Sequence, residues 1–327
     1  QGVYDENEIE HYRKVLTCCR ENGVEPIVTM MHFTSPKWLI ENGGWENEAT
    51  VEAFKNYCQY VTEQLGDLMH YVCTINEANM GIQVAAISAR YRAQMMAKMQ
   101  RMQQGGAEEK KDLEGTAQVG MNFNDMMANM QKQKEENVEI FGTDTLQTFV
   151  SARTPEGDML VIRAHQAARA AMKAVKPELQ IGLTLSLHDI QAQEGGEETA
   201  AKEWVDEFTH YVPYIKEDDF FGLQNYSRSL IGPNGILPVP EGAEITQMDY
   251  EYYPEGLEHV IRRVYEEMPM PIMVTENGIA TADDTRRVAY IQTAMKGVEN
   301  CIQDGIPVKG YMYWSMMDNF CLLYTSP

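Results

Sequence analysis

The chain has 327 residues, 44% of them hydrophobic and 9% aromatic, enough for a large core within a single α/β domain. Its 27 Lys and Arg stand against 49 Asp and Glu, a net charge of −22. An acidic surface of that size repels phosphate backbones and anionic membranes, so nucleic acid is excluded as a partner and a neutral or cationic small molecule is favoured.

The periodicity then alternates helix and strand. Residues 5–22 carry a helical pattern that stops at Asn22-Gly23. PIVTMMH (26–32) is a short apolar strand. Residues 48–66 form an amphipathic helix with Val51, Phe54, Tyr57, Cys58, Val61 and Leu65 on one face, and YVCTI (71–75) is the next strand. Residues 80–147 break the rhythm. They are rich in Met, Gln, Lys and Glu and predict helical pieces around a polar connector, with Met95, Met96, Met99 and Met102 read as ordinary helix packing. Regularity returns with a helix over 158–176, a strand over 181–187, a polar loop, a helix over 199–211 and a strand over 219–226. A Pro/Gly-rich loop spans 232–256. A helix over 257–267, a strand over 271–275, a helix over 284–304 and a strand over 308–314 complete the pattern.

Six strands separated by helices indicate a parallel sheet with right-handed crossovers, either doubly wound or a (β/α)8 barrel. No GxGxxG or GxxxxGK[ST] follows any strand, which removes the usual nucleotide signatures. No apolar run of about 18 residues is present and no signal peptide opens the chain. The six cysteines form no CxxC pair, and reduced thiols in a cytoplasmic enzyme are expected. The histidines show no HExxH spacing, and neither metal nor cofactor is expected.

The strand ends carry the chemistry. They offer His32, then Asn76-Glu77, His188-Asp189, Gln224-Asn225-Tyr226, Glu276-Asn277 and Trp314. In a barrel these ends share one rim. Amides, a His and a Tyr fork to sugar hydroxyls, and a flat indole stacks on the C–H face of a pyranose. Two carboxylates facing one pocket suit glycoside hydrolysis, one donating a proton to the leaving oxygen and the other ionised at the anomeric carbon. Asn225-Tyr226-Ser227 is a glycosylation sequon, read here as chance because it falls at a strand end in the expected pocket.

TINEA (74–78), VTENG (274–278), GYMYWSMMDNF (310–320), the stretch 25–45 and DFFGLQNY (219–226) together resemble glycoside hydrolase family 1, the β-glucosidase family. The likeness runs in order over residues 1–320. It implies a (β/α)8 TIM barrel, here incomplete with about strands 3–8 present, and a retaining mechanism without cofactor on β-glucosides. Glu276 matches the nucleophile and Glu77 the general acid/base. Asn76 matches the residue that binds the 2-hydroxyl, His32 a glycone-binding histidine, Tyr226 the tyrosine that hydrogen-bonds the nucleophile, and Trp314 the glycone-stacking tryptophan. A pKa near ~6 is expected for Glu77, and Gly278 is read as letting the chain turn away after Glu276.

Departures from the family pattern carry expectations too. Ala78 stands where Pro is usual, with small effects expected. Gln224 stands where Asn is usual, altering glycone contacts. The insertion at 80–147 is expected over the catalytic mouth. The family's first two strands are missing before Gln1, and CLLYTSP (321–327) does not match, so it is read as a non-native tail. With two open edges, these 327 residues alone are expected to be inactive or aggregated. A 6-phospho-β-glycosidase and a non-catalytic sugar-binding paralogue are the alternatives. VTENG and YWSMMDNF favour unphosphorylated sugars, and both carboxylates are kept.

Overall fold

A computed structural model of the chain describes residues 2–104 and 123–316. The expected non-native tail at 321–327 therefore lies outside the described residues. In chain order the elements are α1 (Glu6–Glu21), β1 (Ile27–Met31), α2 (Lys37–Glu41), α3 (Ala49–Leu65), β2 (Tyr71–Ile75), α4 (Met80–Gln104), α5 (Phe123–Phe141), α6 (Pro155–Val175), β3 (Gln180–Gly182), β4 (Thr184–Ser186) and β5 (Asp189–Ala192). They continue with α7 (Glu197–Trp204), α8 (Val212–Ile215), β6 (Phe221–Gln224), β7 (Arg228–Gly232), β8 (Gly235–Ile236), α9 (Gly256–Glu267), β9 (Ile272–Asn277), α10 (Asp284–Gln303) and β10 (Val308–Tyr313). A π-helical turn, Val205–Thr209, splits the helix expected over 199–211.

The chain divides into two compact units. One comprises residues 2–32, 51–79 and 162 onward and holds all the strands found among the described residues. Its main strands run parallel and neighbour one another in chain order, β1-β2-β3 and then β4-β6-β9-β10. The strand expected over 181–187 is in fact two. It breaks at Leu183, whose N–H goes to the Asp218 carboxylate at 3.1 Å, so β3 pairs with β2 while β4 pairs with β6. The N–H of Ala78, past the end of β2, still reaches the carbonyl of Thr184 on β4 at 2.9 Å, so the two sheets form one arc. These are consecutive strands of a (β/α)8 barrel. Among the described residues β1 and β10 do not pair with each other, and the barrel is not closed.

The strands form because they are apolar, β-branched and flanked by helix stops. α1 begins at Asp5, whose carboxylate accepts the Asn7 N–H at 2.9 Å, and ends before Gly23 at φ +71°. Inside the arc, Cys73, Phe220 and Met273 are buried together, with Ile27, Tyr71 and Met312 packed against them. This layer fixes which residues of each strand face inward.

Part of what reads as loop is sheet. β5, β7 and β8 form a separate three-stranded sheet in which β5 and β7 are parallel and β7 and β8 antiparallel. Asp189, expected at the rim, belongs to it. Its carboxylate is bonded by His259 Nδ1 at 2.7 Å and by the Gln191 amide at 2.6 Å. Arg228 clamps Glu251 through two 2.8 Å bonds and lies 4.1 Å over the Tyr253 ring.

The second unit comprises residues 33–50 and 80–161. Phe149 is its anchor, fully buried, stacked on Phe33 at 5.8 Å and edge-on to Trp45 at 5.3 Å. Arg153 is buried beside it and donates to the Phe149 carbonyl at 2.9 Å. The Glu46 carboxylate accepts from the N–H and hydroxyl of Thr154, which opens α6. Helical pieces occupy the Met-rich segment as expected, with residues 105–122 outside the described part. Met96 is 64% exposed and so does not pack, while the side chains of Met95, Met99 and Met102 are outside the described residues. Among the described residues no helix is long and apolar enough to cross a membrane.

Candidate active site

The seven candidate site residues, Glu77, Glu276, His32, Asn76, Gln224, Tyr226 and Trp314, all belong to the strand-bearing unit, where hydrogen bonds, ring stacking and charge coupling link them. Glu276 lies within β9, not beyond it. Strand alternation from the core-facing Met273 would point Thr275 inward and Glu276 away. The register prevents this. Val274 pairs with Leu223 and Glu276 with Gln224, so β9 carries one extra residue against β6. On the other side Tyr311 pairs with Val274 and Tyr313 with Asn277, again one residue more on β9. This bulge at Thr275 turns Glu276 to the inner face.

Gly278 has a different role from the expected turn. It is not in the left-handed region; instead a Cβ there would lie 2.2 Å from the Trp314 carbonyl oxygen. The residue is small because two backbones meet, and the neighbouring bond from the Trp314 N–H to the Asn277 carbonyl, 2.9 Å, fixes that approach.

Behind Glu276, Asn277 is fully buried. Its amide donates to the Asn225 carbonyl at 2.6 Å and to the Tyr290 hydroxyl at 3.2 Å, and it accepts from the Tyr311 hydroxyl at 2.9 Å. Asn225 is fully buried with its own amide donating to the carbonyls of Leu187 and Ser227, which makes the sequon a structural asparagine.

Two donors meet the Glu276 carboxylate. The Tyr226 hydroxyl bonds it at 2.6 Å, and the Asn76 amide donates to it as well. Asn76 also touches His32 Nε2 at 3.3 Å, and its carbonyl oxygen accepts from the Gln224 amide at 2.8 Å. The His32 contact has an amide donor, so the ring proton is assigned to Nδ1. Burial holds the His32 pKa below its usual value. His32 stacks on Trp314 at 5.4 Å with planes 23° apart. Two buried polar atoms of this group, Gln224 Oε1 and Trp314 Nε1, have no hydrogen-bond partner among the described residues.

Glu77 follows β2 with φ +43°, the left-handed region that a Glu rarely occupies. Its N–H donates to the Thr184 hydroxyl at 2.9 Å, and its carboxylate accepts from the Ser186 hydroxyl. Burial pushes the Glu77 carboxyl up to about 8, the Glu276 charge adds to the rise, and His188 and the Ser186 hydroxyl pull it back. Burial also lifts Glu276, to about 7, against the two donors that hold it down. The rise at Glu77 exceeds the expected ~6 because the carboxyl is buried at 6% exposure beside a second carboxylate. The two carboxyls therefore titrate as a coupled pair, both raised by burial, with Glu276 the one whose two donors favour its ionised form.

Sequence reasoning missed Thr184, Ser186, Asn79, His188 as a partner of Glu77, and Glu207. None is an unusual residue type for its place. The one signal was the run LTLSLH itself, whose hydroxyls alternate along β4.

The glycosyl hydrolase family 1 model matches residues 1–325. The chain belongs to glycosyl hydrolase family 1. A crystal structure of a β-glycosidase superposes with a TM-score of 0.80 at 38% identity, over 99% of this chain and 70% of that one. β-Glucosidase A of Acetivibrio thermocellus is 25% identical over 98% of this chain and 71% of its own length. A 6-phospho-β-galactosidase of Lacticaseibacillus casei is 24% identical over 98% of this chain and 73% of its own. Curated relatives are matched over 66% to 74% of their length. This is a glycoside hydrolase on a (β/α)8 framework, in a family of retaining glycosidases that includes β-glucosidases, and a glycoside is what its site binds.

Proposed function

We propose that the chain carries the site of a retaining β-glucosidase acting on short β-glucosides through a covalent glycosyl-enzyme intermediate. One observation supports this above the rest: two buried carboxylates share a site but have different donors, so one ionises while the other keeps its proton. In this reading ionised Glu276 attacks the anomeric carbon as protonated Glu77 gives its proton to the leaving oxygen. Glu77, now a base, then takes a proton from the water that releases the sugar. Tyr226 and Asn76 keep Glu276 charged, and Asn76 also reaches the 2-hydroxyl. His32 and Gln224 contact the other glycone hydroxyls, and Trp314 stacks on the ring. The chemistry uses two carboxylates and water.

We also propose that residues 1–320 form one barrel domain with an insertion at 80–147, and that the protein works in the cytoplasm. Five cysteines are unpaired, among the described residues.

The test uses a 2-deoxy-2-fluoro β-glucoside and the protein expressed from its complete gene. A glucosyl adduct on the peptide carrying Glu276 is expected by mass spectrometry. An adduct only with a 6-phosphorylated probe would make it a 6-phospho-β-glycosidase. Binding without any adduct would make it a sugar-binding paralogue.

A further inference from the structure

Four hydrogen bonds tie residues 77–79 to β4. The Glu77 N–H goes to Thr184 Oγ1 at 2.9 Å and the Ala78 N–H to the Thr184 carbonyl at 2.9 Å. The Asn79 amide donates to the Ser186 carbonyl at 2.7 Å, and its oxygen accepts the Ser186 N–H at 3.0 Å. The Asn79 amide also donates to the carbonyl of Glu207 at 3.1 Å, in the π-helical turn. The Glu207 carboxylate accepts from the His188 N–H at 3.0 Å and contacts the ring at Nδ1 at 2.9 Å. Asn79 and Thr184 are buried at 0% and 1% exposure.

A left-handed Glu is unfavourable by itself and persists only when its surroundings over-determine it. Here every polar group of the Asn79 side chain is spent on doing so. The Ala78 bond is one that a proline, the residue usual at this place in the family pattern, has no N–H to make.

Resting on the assignment of Glu77 as acid/base, we propose that Thr184 and Asn79 are positioning residues that lock its left-handed backbone to β4 and so aim its proton at the leaving oxygen. Neither is among the residues assigned to the sugar, although the Thr184 hydroxyl also reaches the Ile75 carbonyl at 3.2 Å and Asn76 Oδ1 at 3.4 Å. Their loss acts on proton delivery, a step that matters for a poor leaving group and hardly at all for an activated one.

The experiment compares phenyl and 2,4-dinitrophenyl β-glucosides with the complete protein and its Thr184→Val, Thr184→Ser, Asn79→Ala and Glu77→Gln variants. Thr184→Val is nearly isosteric and suits a strand, so it guards against Asn79→Ala failing to fold. Thr184→Val and Asn79→Ala should lower kcat/KM roughly 10- to 100-fold on the phenyl glucoside and leave the dinitrophenyl glucoside within a few-fold. Thr184→Ser, which keeps the hydroxyl, should restore both. Equal losses on the two substrates, no loss on either, or failure of Ser to rescue would overturn the positioning role. If Glu77→Gln itself shows no leaving-group dependence, the acid/base assignment falls and this inference with it.

Discussion

The site holds two carboxylates of the same chemical type, delivered by opposite means. Glu276 reaches the pocket from inside a strand, turned inward by a bulge at Thr275 and backed by a backbone contact too close for any side chain at Gly278. Glu77 reaches it from a left-handed turn held by side-chain hydrogen bonds to the next strand. Glu276 meets two donors, Tyr226 and Asn76; Glu77 meets the Ser186 hydroxyl and the neighbouring charge of Glu276. In the proposed reading, local backbone and donor count, not residue type, divide the two tasks.

Substitution should separate the two ends. Glu276→Gln is expected to remove turnover on every substrate, on the order of 10^4-fold or more, and to abolish the fluorosugar adduct. Glu77→Gln should cost ~10^2- to 10^4-fold on poor leaving groups, spare the dinitrophenyl glucoside in the glycosylation step, and recover turnover with azide. If both variants lost activity equally on all substrates, the division of labour would be wrong.

The wild-type profile of kcat/KM should be a narrow bell. It rises as Glu276 ionises near about 7 and falls as Glu77 loses its proton near about 8. Tyr226→Phe removes a hydrogen bond to a charged group, worth roughly 10- to 100-fold in rate. Because that donor holds Glu276 down, its loss should move the acidic limb to higher pH; an unmoved limb would show that Tyr226 acts elsewhere. Gly278→Ala should be the mildest on chemistry, destabilising by about 1–3 kcal/mol in urea unfolding while slowing adduct formation at Glu276. A neutral result would mean that the β9–β10 approach is looser than described.

Much of this was legible in the chain itself. Five of the six strands, the helices between them and the polar groups at the strand ends follow from apolar runs that end in polar residues. What escaped has physical reasons. β5, β7 and β8 are short and partly polar, and Arg228 of β7 is paired with Glu251 from outside the sheet, so no long apolar alternation marks them. The break at Leu183 needs Asp218, 35 residues away in the chain, to take its N–H. The bulge at Thr275 is visible only against the neighbouring strands. Asn79 and Thr184 look like an ordinary helix start and an ordinary strand residue until their partners are in place.

The left-handed backbone at Glu77 has a consequence for anyone who sets out to toughen this protein. A Glu there is backbone-disfavoured, and its carboxyl is buried. Protonation in the folded state offsets part of that burden below the ordinary carboxylate range, and the relief fades as pH climbs through about 8. Asn, which tolerates positive φ and carries no charge, removes both penalties. A library sorted on heat resistance alone at alkaline pH would therefore enrich Glu77→Asn, and its most durable survivors would be the ones that no longer cleave glucosides with poor leaving groups.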